Sequence, residues 1–426
     1  MTDIRIRENV MTSVSARDDA YAGLDAPAAG LYCLLGACPA PWIDAHGLGA
    51  LTDLPAPDAE RLARSLVKVG LLSVVGDGFA LDEDGHLHAR TMADEWDGAG
   101  HGLDLSGLDR YFACLNDAAG AAERLITPSH RALWESRPSQ EAVTEPPFEL
   151  EEVAALNWLE ARLPTYLAVM RYALLDQRYP LAVDLAHRLW PLWLRRRHPE
   201  ERYEALLLGL AGATAMRHTG ATGQMLTTLA GAVRGRRPIE AYELNRRAVE
   251  LYQDSGDTLG LAQAMNGMAK SLLSAGHLRQ AAVYFRDAEQ LRAGLGYTRG
   301  AALSRQGRGR VALAQGDPGP AAELLGEAHR MLLEVGDRYD AALTLAYLAE
   351  AAAALGDLDG ALTHLASAAT ALTQASSLYG QGVVWQIKAN ILEQAGRTEQ
   401  AAQAREHARK LLAEVDPPAA DRAAHI

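Results

Sequence analysis

The chain has 426 residues, of which 49% are hydrophobic, and a formal net charge of −13. This length allows about two to four domains, and no apolar run approaches the roughly 20 residues that a membrane-spanning helix needs. The acidic balance argues against a protein that mainly grips nucleic-acid phosphates, because clustered Lys and Arg carry such binding. No secretory signal is expected, and three cysteines (Cys33, Cys38 and Cys114) are too few for a disulfide framework, so we expect reduced thiols in a cytoplasmic protein.

The first hundred residues predict a small helical domain that ends in a β-hairpin. After a disordered tail over residues 1–17, the segment 20–41 indicates a helix that stops at a proline-rich turn. Residues 57–72 place proline and acids before apolar residues at helical spacing, which is typical of an amphipathic helix. The segment 71–89 then predicts a strand, a Gly-Asp-Gly turn and a second strand. This order is that of a winged-helix-like domain, which we assign to residues 18–100.

One polar run in this region raises the question of a metal site. Residues 82–88, DEDGHLH, hold three carboxylates and two histidines, a composition able to bind a divalent ion. The run falls on the predicted hairpin, where polar residues belong, and Cys33 and Cys38 have no partner pair for zinc. We therefore predict a solvated wing without metal. Because no nucleophile-elbow or H-E-x-x-H sequence occurs, we expect no catalytic residues, no enzyme and no cofactor.

The middle of the chain predicts a spacer, a linker and capping helices. Residues 101–150 contain one amphipathic helix and then a run rich in Pro, Ser and Glu, which indicates a linker or an extended strap. Residues 151–220 indicate aromatic-rich helices. We expect their tryptophans to anchor the start of the following repeats, since the terminal units of a repeat array are usually atypical.

From residue 221 to 415 the sequence repeats itself every 40 residues. Turn glycines recur at Gly276, Gly316, Gly356 and Gly396. Two alanine positions recur in five units: Ala241, Ala281, Ala321, Ala361 and Ala401, and seven residues later Ala248, Ala288, Ala328, Ala368 and Ala408. Seven residues are two helical turns, so both alanines lie on one stripe and let a neighbouring helix approach closely. A fixed period of this size predicts stacked helix pairs, none of which buries its apolar face alone.

The small residues of this pattern resemble the tetratricopeptide repeat, lengthened here beyond its common unit of about 34 residues. HEAT and armadillo arrays have similar periods but lack this arrangement of Ala and Gly. The expected fold class is therefore all-α: a right-handed tetratricopeptide-repeat solenoid of five or more helix pairs, preceded by the winged-helix-like domain with its short β-hairpin. A tail over residues 416–426 is expected to follow the last helix.

The order of these segments resembles the C-terminal part of actinobacterial STAND-type transcriptional regulators, in which an NB-ARC ATPase core precedes a winged helix and tetratricopeptide repeats. The likeness runs from residue 18 to 414 and is carried by LYCLLGACPAP (31–41), LARSLVKVGLL (62–72), LDRYFACLNDAAGAAERLITP (108–128) and NWLEARLPTYLAVM (157–170). The resemblance implies a regulatory or adaptor protein of a high-GC bacterium, in the setting of specialised-metabolite biosynthesis.

Two departures from that family bear on nucleotide binding. Some 18 residues precede the winged helix and no G-x-x-x-x-G-K-[ST] loop occurs, so we expect the NB-ARC core and its cradle for phosphates to be missing. Where the family ends its wing on a His-Asp pair whose histidine approaches the nucleotide, this chain has Asp82 and Glu83. Two carboxylates repel a phosphate, which leaves a degenerate ATP-dependent switch as the weaker alternative.

A second alternative is a regulator that binds DNA through the winged helix. Its most regular helix offers Arg61, Arg64 and Lys68 but also Asp58 and Glu60, a weak electrostatic footprint for a helix that reads a groove. In the resembling family this domain packs against its neighbours. We therefore expect a packing or partner-binding role and no nucleic-acid partner.

The first helix of each repeat is expected to line the concave face, the best candidate for a binding surface. Its inward positions are Asn266 and Lys270, Gln306 and Arg310, Ala346 and Glu350, and Gln386 and Asn390, with Tyr347 beside them. Amides can bond to an extended peptide backbone, and Lys270 and Arg310 can pair with carboxylates. We expect a protein or peptide partner that places an acidic segment near these two cations, with the positive patch ending at Glu350. A solvated inner face without a ligand, and a second copy of the chain as partner, remain open.

Overall fold

The computed structural model describes residues 16–98, 104–128, 130, 131, 133 and 146–415. Both predicted tails, except residues 16 and 17, and most of the predicted linker lie outside these residues. The described part of the chain is mainly helical with one three-stranded sheet. Within it, no helix combines the length and the apolar character that crossing a membrane requires.

The N-terminal part has the element order of a winged helix. Its elements are α1 (Ala26–Ala37), β1 (Ile43–Asp44), α2 (Ala45–Thr52), α3 (Ala56–Lys68), β2 (Ser73–Val75) and β3 (Gly78–Ala80). Strand β3 pairs antiparallel with both other strands, in the order β1-β3-β2. Asp25 and Asp44 begin α1 and α2 by accepting hydrogen bonds from backbone N–H groups of the first turn. Gly76, with φ of 59°, allows the tight turn of the hairpin.

The hairpin is shorter than the sequence suggested, and the run at residues 82–88 does not lie on the wing. It begins helix α4 (Glu83–Gly98), because Asp82 accepts a hydrogen bond of 2.6 Å from the N–H of Gly85 and so caps the helix. Asp82 also accepts bonds of 2.8 and 2.7 Å from the guanidinium of Arg17. That pair explains a second difference: residues 16 and 17, expected in a disordered tail, start a helical segment over 16–22.

The other potential metal ligands of this region also face separate partners. His88 is buried between Tyr32 and Asp18, with 2.9 Å hydrogen bonds to each. Cys33 and Cys38 are buried free thiols, and burial raises the pKa of Cys38 to about 12. These side chains do not come together. Among the described residues, neither the run at residues 82–88 nor the pair Cys33 and Cys38 forms a cluster of metal ligands.

A spacer helix and five cap helices join this part to the repeats: α5 (Ser106–Ile126), α6 (Glu152–Ala161), α7 (Leu163–Leu175), α8 (Tyr179–Arg188), α9 (Trp190–Arg195) and α10 (Pro199–Ala215). One hydrophobic core cluster extends without a break from Ala28 to Ala241. Across it, the Tyr166 hydroxyl donates to the Leu115 carbonyl at 3.0 Å, and the buried Arg162 donates to Asp44 at 2.9 Å. The winged-helix-like part is therefore packed firmly against the cap.

Five successive helix pairs follow: α11 (Thr219–Val233) and α12 (Pro238–Ser255), α13 (Thr258–Ser274) and α14 (Leu278–Gly294), α15 (Thr298–Gln315) and α16 (Pro318–Glu334), α17 (Arg338–Ala354) and α18 (Leu358–Gln374), α19 (Leu378–Gln394) and α20 (Thr398–Val415). Gly276, Gly316, Gly356 and Gly396 end the first helices of the last four pairs with φ between 71° and 91°. Left-handed residues of this kind commonly terminate helices. The predicted repeat solenoid, with its equivalent glycine turns, is confirmed.

Small residues allow the helices of the array to pack closely. All ten recurring alanines of the second helices are 0% exposed. The first helices use glycine in the same way: a Cβ added at Gly307 would lie 2.2 Å from the Phe285 ring. First helices of adjacent pairs also contact one another directly. They therefore form the inner side of the curved array.

The repeat array curves so far that its last two repeats contact the cap helices. The Arg196 guanidinium donates to the Ser376 carbonyl at 2.9 Å, and the Tyr339 hydroxyl donates to the Leu194 carbonyl at 3.3 Å. The guanidinium carbon of Arg195 lies 4.2 Å from the centre of the Tyr339 ring. Helix α9 thus closes the curve against α17 and α19. We call the space enclosed by α9 and the first helices α11, α13, α15, α17 and α19 the lumen.

A pair of glycine substitutions tests the packing of the array. Gly307→Ala should lower the free energy of unfolding by about 1–3 kcal/mol, because the new methyl group overlaps the Phe285 ring. Gly326→Ala, inside helix α16 with open space around it, should instead raise it by about 0.4–1 kcal/mol. Urea unfolding followed by circular dichroism measures both. Equal effects of the two substitutions would contradict the described helix packing.

Candidate functional site

The charged residues predicted for the concave face meet in the lumen. The positive charges of Lys270 on α13 and Arg310 on α15 repel each other, and Arg234, at the end of α11, repels both. All three side chains are partly exposed. None of the three forms an ion pair with a carboxylate of the described residues. The lumen therefore holds a cluster of three cations, which we call the lumen cations.

Burial changes the chemistry of the lysine in this cluster. Surrounded by the inner helices, Lys270 has its pKa lowered to about 7, first by burial and then by the charge of Arg234. Asp340 raises that pKa, but its carboxylate is already bound by the guanidinium of Arg299 at 2.6 Å. Lys270 thus shares the lumen with other cations and, within the described part of the chain, forms no ion pair with a carboxylate.

The positive patch is bordered by an aromatic ring and one acid. The guanidinium carbon of Arg310 lies 4.4 Å from the centre of the Tyr347 ring, a cation–π contact. Glu350, one helical turn further along α17, is close enough to feel the charge of Arg310. Burial nevertheless raises the pKa of Glu350 to about 6. Glu350 is thus an acid next to Arg310, and the end of a binding patch at this residue stays a prediction.

The predicted amides are not placed as expected. Asn266 and Gln306 are buried, and each bonds to the next first helix: Asn266 Oδ1 accepts from Ser304 at 3.1 Å, and Gln306 Nε2 donates to Thr344 at 2.7 Å. These atoms therefore tie adjacent repeats together and are not open to a peptide backbone. The prediction that the amides of Asn266 and Gln306 face a peptide partner is corrected in this respect.

In the last pair the two predicted amides bond to each other. Gln386 Nε2 donates to Asn390 Oδ1 at 3.2 Å, and both residues are partly exposed. The buried Oε1 atom of Gln386 has no hydrogen-bond partner among the described residues. This end of the lumen therefore keeps a hydrogen-bond acceptor, in the second repeat after the one that carries Arg310.

Two residues of the candidate site escaped the sequence reasoning. Arg234 is the C-cap residue of α11 and lies 36 residues before Lys270, so the 40-residue spacing does not align the two. Arg197 belongs to the cap, where no repeat can be aligned, yet its guanidinium carbon lies 3.9 Å from the centre of the Tyr379 ring. The density of arginines in the runs RRR (195–197) and RGRR (234–237) was the available signal.

Helix α3 and the hairpin of the winged-helix-like part pair their charges with nearby residues. On α3, Arg61 is paired with Asp58, and Arg64 with Glu60 at 2.5 Å, so acids on the same helix neutralise these cations. At the tip of the hairpin, Asp77 faces Arg162 of the cap at 3.3 Å. A helix and wing with this charge pattern are poorly suited to phosphate backbones.

No protein-family model matches the chain. In sequence, it is 28% identical over 260 residues to the regulatory protein AfsR of Streptomyces coelicolor. The match covers 58% of this chain and 25% of AfsR, so the chain spans about a quarter of this curated relative. The match relates the chain to an actinobacterial regulator.

Two solved structures of repeat-containing proteins also align with the chain. Aspartyl phosphate phosphatase F from Bacillus subtilis aligns over 94% of this chain and 93% of its own, with a TM-score of 0.44 and 13% identity. A STAND protein with a tetratricopeptide repeat sensor from Pyrococcus horikoshii aligns over 93% of this chain and 65% of its own, with a TM-score of 0.40 and 14% identity.

The lowered pKa of Lys270 can be measured by its reactivity. Only the neutral amine is acylated, so the labelling rate of Lys270 should reach half of its maximum near pH 7, far below the ordinary lysine value of 10.5. Peptide mapping by mass spectrometry after short pulses with an acylating reagent gives this profile, with the exposed Lys410 as the internal reference for the reagent. A Lys270 rate that still rises steeply above pH 9 would contradict the described surroundings.

Proposed function

We propose that the chain is a non-catalytic regulatory or adaptor protein that binds a segment of a protein or peptide partner in the lumen. The observation that carries this proposal is the cluster of lumen cations, which lacks an ion-pair partner among the described residues. Cations held this close in a partly desolvated space repel one another unless an anion is shared between them. In this proposal the partner supplies the anionic group that neutralises the lumen cations.

The shape of the lumen limits what can enter it. Helix α9 contacts α17 and α19 and closes the curve, which favours an extended segment or a chain terminus over a folded domain as the occupant. The acidic side chains or the terminal carboxylate of such a segment would pair with Lys270, Arg310 and Arg234, and the Tyr347 ring would pack beside it.

The regulatory part of the proposal rests on the relationship to AfsR and on the resemblance in segment order to STAND-type regulators. We extend it to a role in controlling specialised metabolism in a high-GC bacterium. Because the chain spans only a quarter of AfsR, the activity of that whole protein is not transferred. A partner-binding repeat array is the part of such a regulator that this chain contains.

Removing two lumen cations should weaken partner binding. The double variant Lys270→Ala, Arg310→Ala is expected to lower affinity about ten-fold or more, since each charge pair in such a site contributes about 1–3 kcal/mol. The partner is identified by affinity capture from the native host with mass spectrometry, and its Kd is then measured by calorimetry. Circular dichroism checks that the array remains folded.

A control variant removes the same charge from another helix. Arg61→Ala, Lys68→Ala takes two cations from α3 and should leave the Kd unchanged. If the lumen variant binds as tightly as the parent while the α3 variant is impaired, the winged-helix-like part is the binding surface and the proposal is wrong.

A further inference from the structure

Three metal-binding side chains come together outside the lumen, where the chain leaves α5. We call the described residues 127, 128, 130, 131 and 133 the strap. Glu123 lies on α5, His130 on the strap and His187 on α8, and their ligand atoms all lie within 4.8 Å of one another. Glu123 Oε1 is 2.5 Å from His130 Nδ1 and 3.5 Å from His187 Nε2. Three separate segments of the chain thus contribute one ligand each.

The cluster is enclosed and its rings are held in place. The side chains of Glu123, His130 and His187 are 16%, 12% and 6% exposed. The His130 ring stacks on His187, with ring centres 4.3 Å apart, and on Trp190 at 5.2 Å. A histidine with its ordinary pKa of about 6.5 is mostly neutral near pH 7, and the neutral ring is the form that binds a metal ion.

The charge of this cluster is not balanced within it. Glu123 has two neutral imidazoles beside it, and Arg124 and Arg188 act on it only through longer-range attraction. A carboxylate enclosed in this way is unfavourable unless a cation compensates its charge. A divalent ion at the centre of the three ligands supplies that compensation.

We infer that Glu123, His130 and His187 form a binding site for a divalent transition-metal ion of the zinc class. Two imidazoles and one carboxylate are a ligand set that zinc uses, with one position left for a further oxygen. The carbonyl of Arg131, which accepts a 2.9 Å hydrogen bond from His187 Nε2, lies beside that position. Imidazole nitrogens disfavour Mg²⁺ and Ca²⁺, which prefer oxygen ligands.

Binding requires only local rearrangement. At bond lengths of about 2.0–2.1 Å, the ligand atoms of a tetrahedral zinc ion are about 3.3 Å apart. The Glu123–His187 separation of 3.5 Å already fits, whereas His130 must draw back from its 2.5 Å hydrogen bond to Glu123. On metal binding His130 carries its proton on Nε2 and His187 carries its proton on Nδ1. His187 Nε2 therefore gives up its hydrogen bond to the Arg131 carbonyl, and that oxygen becomes available as the further ligand.

The ion would fix the strap in place. Next to His130, Arg131 forms an ion pair with Asp257, and its guanidinium carbon lies 5.8 Å from the centre of the Tyr252 ring. The strap therefore connects α5 and α8 with the first repeats. A metal bound at His130 would stiffen this connection, which is a structural role independent of the proposed binding in the lumen.

The test is metal titration of the full chain after treatment with a chelator. Calorimetry with Zn²⁺ and the visible absorption of Co²⁺ should show one tetrahedral site. Glu123→Gln, His130→Gln and His187→Gln should each weaken zinc binding by more than the ~10–100-fold that loss of an outer partner costs. Zinc should also raise the Tm of the parent and leave that of the Glu123→Gln variant unchanged.

The chain contains a matched control. His198 bonds to Glu160 at 2.7 Å, and the described residues provide no third ligand there, so the His198→Gln variant should bind zinc as the parent does. If the parent binds no zinc at micromolar concentration, or if the three variants bind as tightly as the parent, the cluster is a hydrogen-bonded joint and the inference is wrong. Circular dichroism of each variant separates loss of the site from loss of the fold.

Discussion

The architecture depends on how closely the repeat helices approach one another. Ten alanines at two positions are completely buried, and glycines such as Gly307 stand where a side chain would overlap the neighbouring helix. Because these contacts recur every 40 residues, each pair is set against the next in the same way, and the array curves regularly. Without that regular curve, α9 would not meet α17 and α19, and no lumen would form.

Because the array closes against the cap, charged residues on its inner side are partly buried and their pKa values shift. Lys270 and Arg310 would be solvated cations on an open groove, where exposed charges contribute little. Inside the lumen they are partly desolvated and face Arg234. The lowered pKa of Lys270 and the raised pKa of Glu350 are two consequences of the same enclosure. The enclosure thus leaves an excess of positive charge at the lumen cations, which the proposed anionic segment would neutralise.

Much of the fold could be predicted from the sequence because the repeat is periodic. The glycine turns and buried alanines follow from simple spacing, and the small hairpin from its Gly-Asp-Gly turn. The start of α4 could not be predicted in this way. Residues 82–88 look like a polar loop, and their helical start depends on Asp82, which both caps the helix and binds the distant Arg17.

The candidate site could be predicted only in part, because the repeat spacing does not reveal contacts between distant parts of the chain. Spacing identified Lys270, Arg310, Tyr347 and Glu350 as inward-facing, but it carries no information on how tightly the array curls. The contact between the array and the cap adds Arg234 and Arg197 to the lumen. This contact joins residues about 180 positions apart in the sequence, such as Arg196 and Ser376. The cluster of Glu123, His130 and His187 was missed because its members come from three segments with no shared motif.

The central claim is that a partner segment enters the lumen, and site-specific photo-crosslinking tests it most directly. A photoreactive amino acid is placed at position 347, beside Arg310 in the lumen, or at position 284 on the second helix α14. Irradiation with the captured partner should give a covalent product from position 347 alone, mapped to an acidic or C-terminal segment of the partner. A product from position 284 and none from position 347 would contradict the claim.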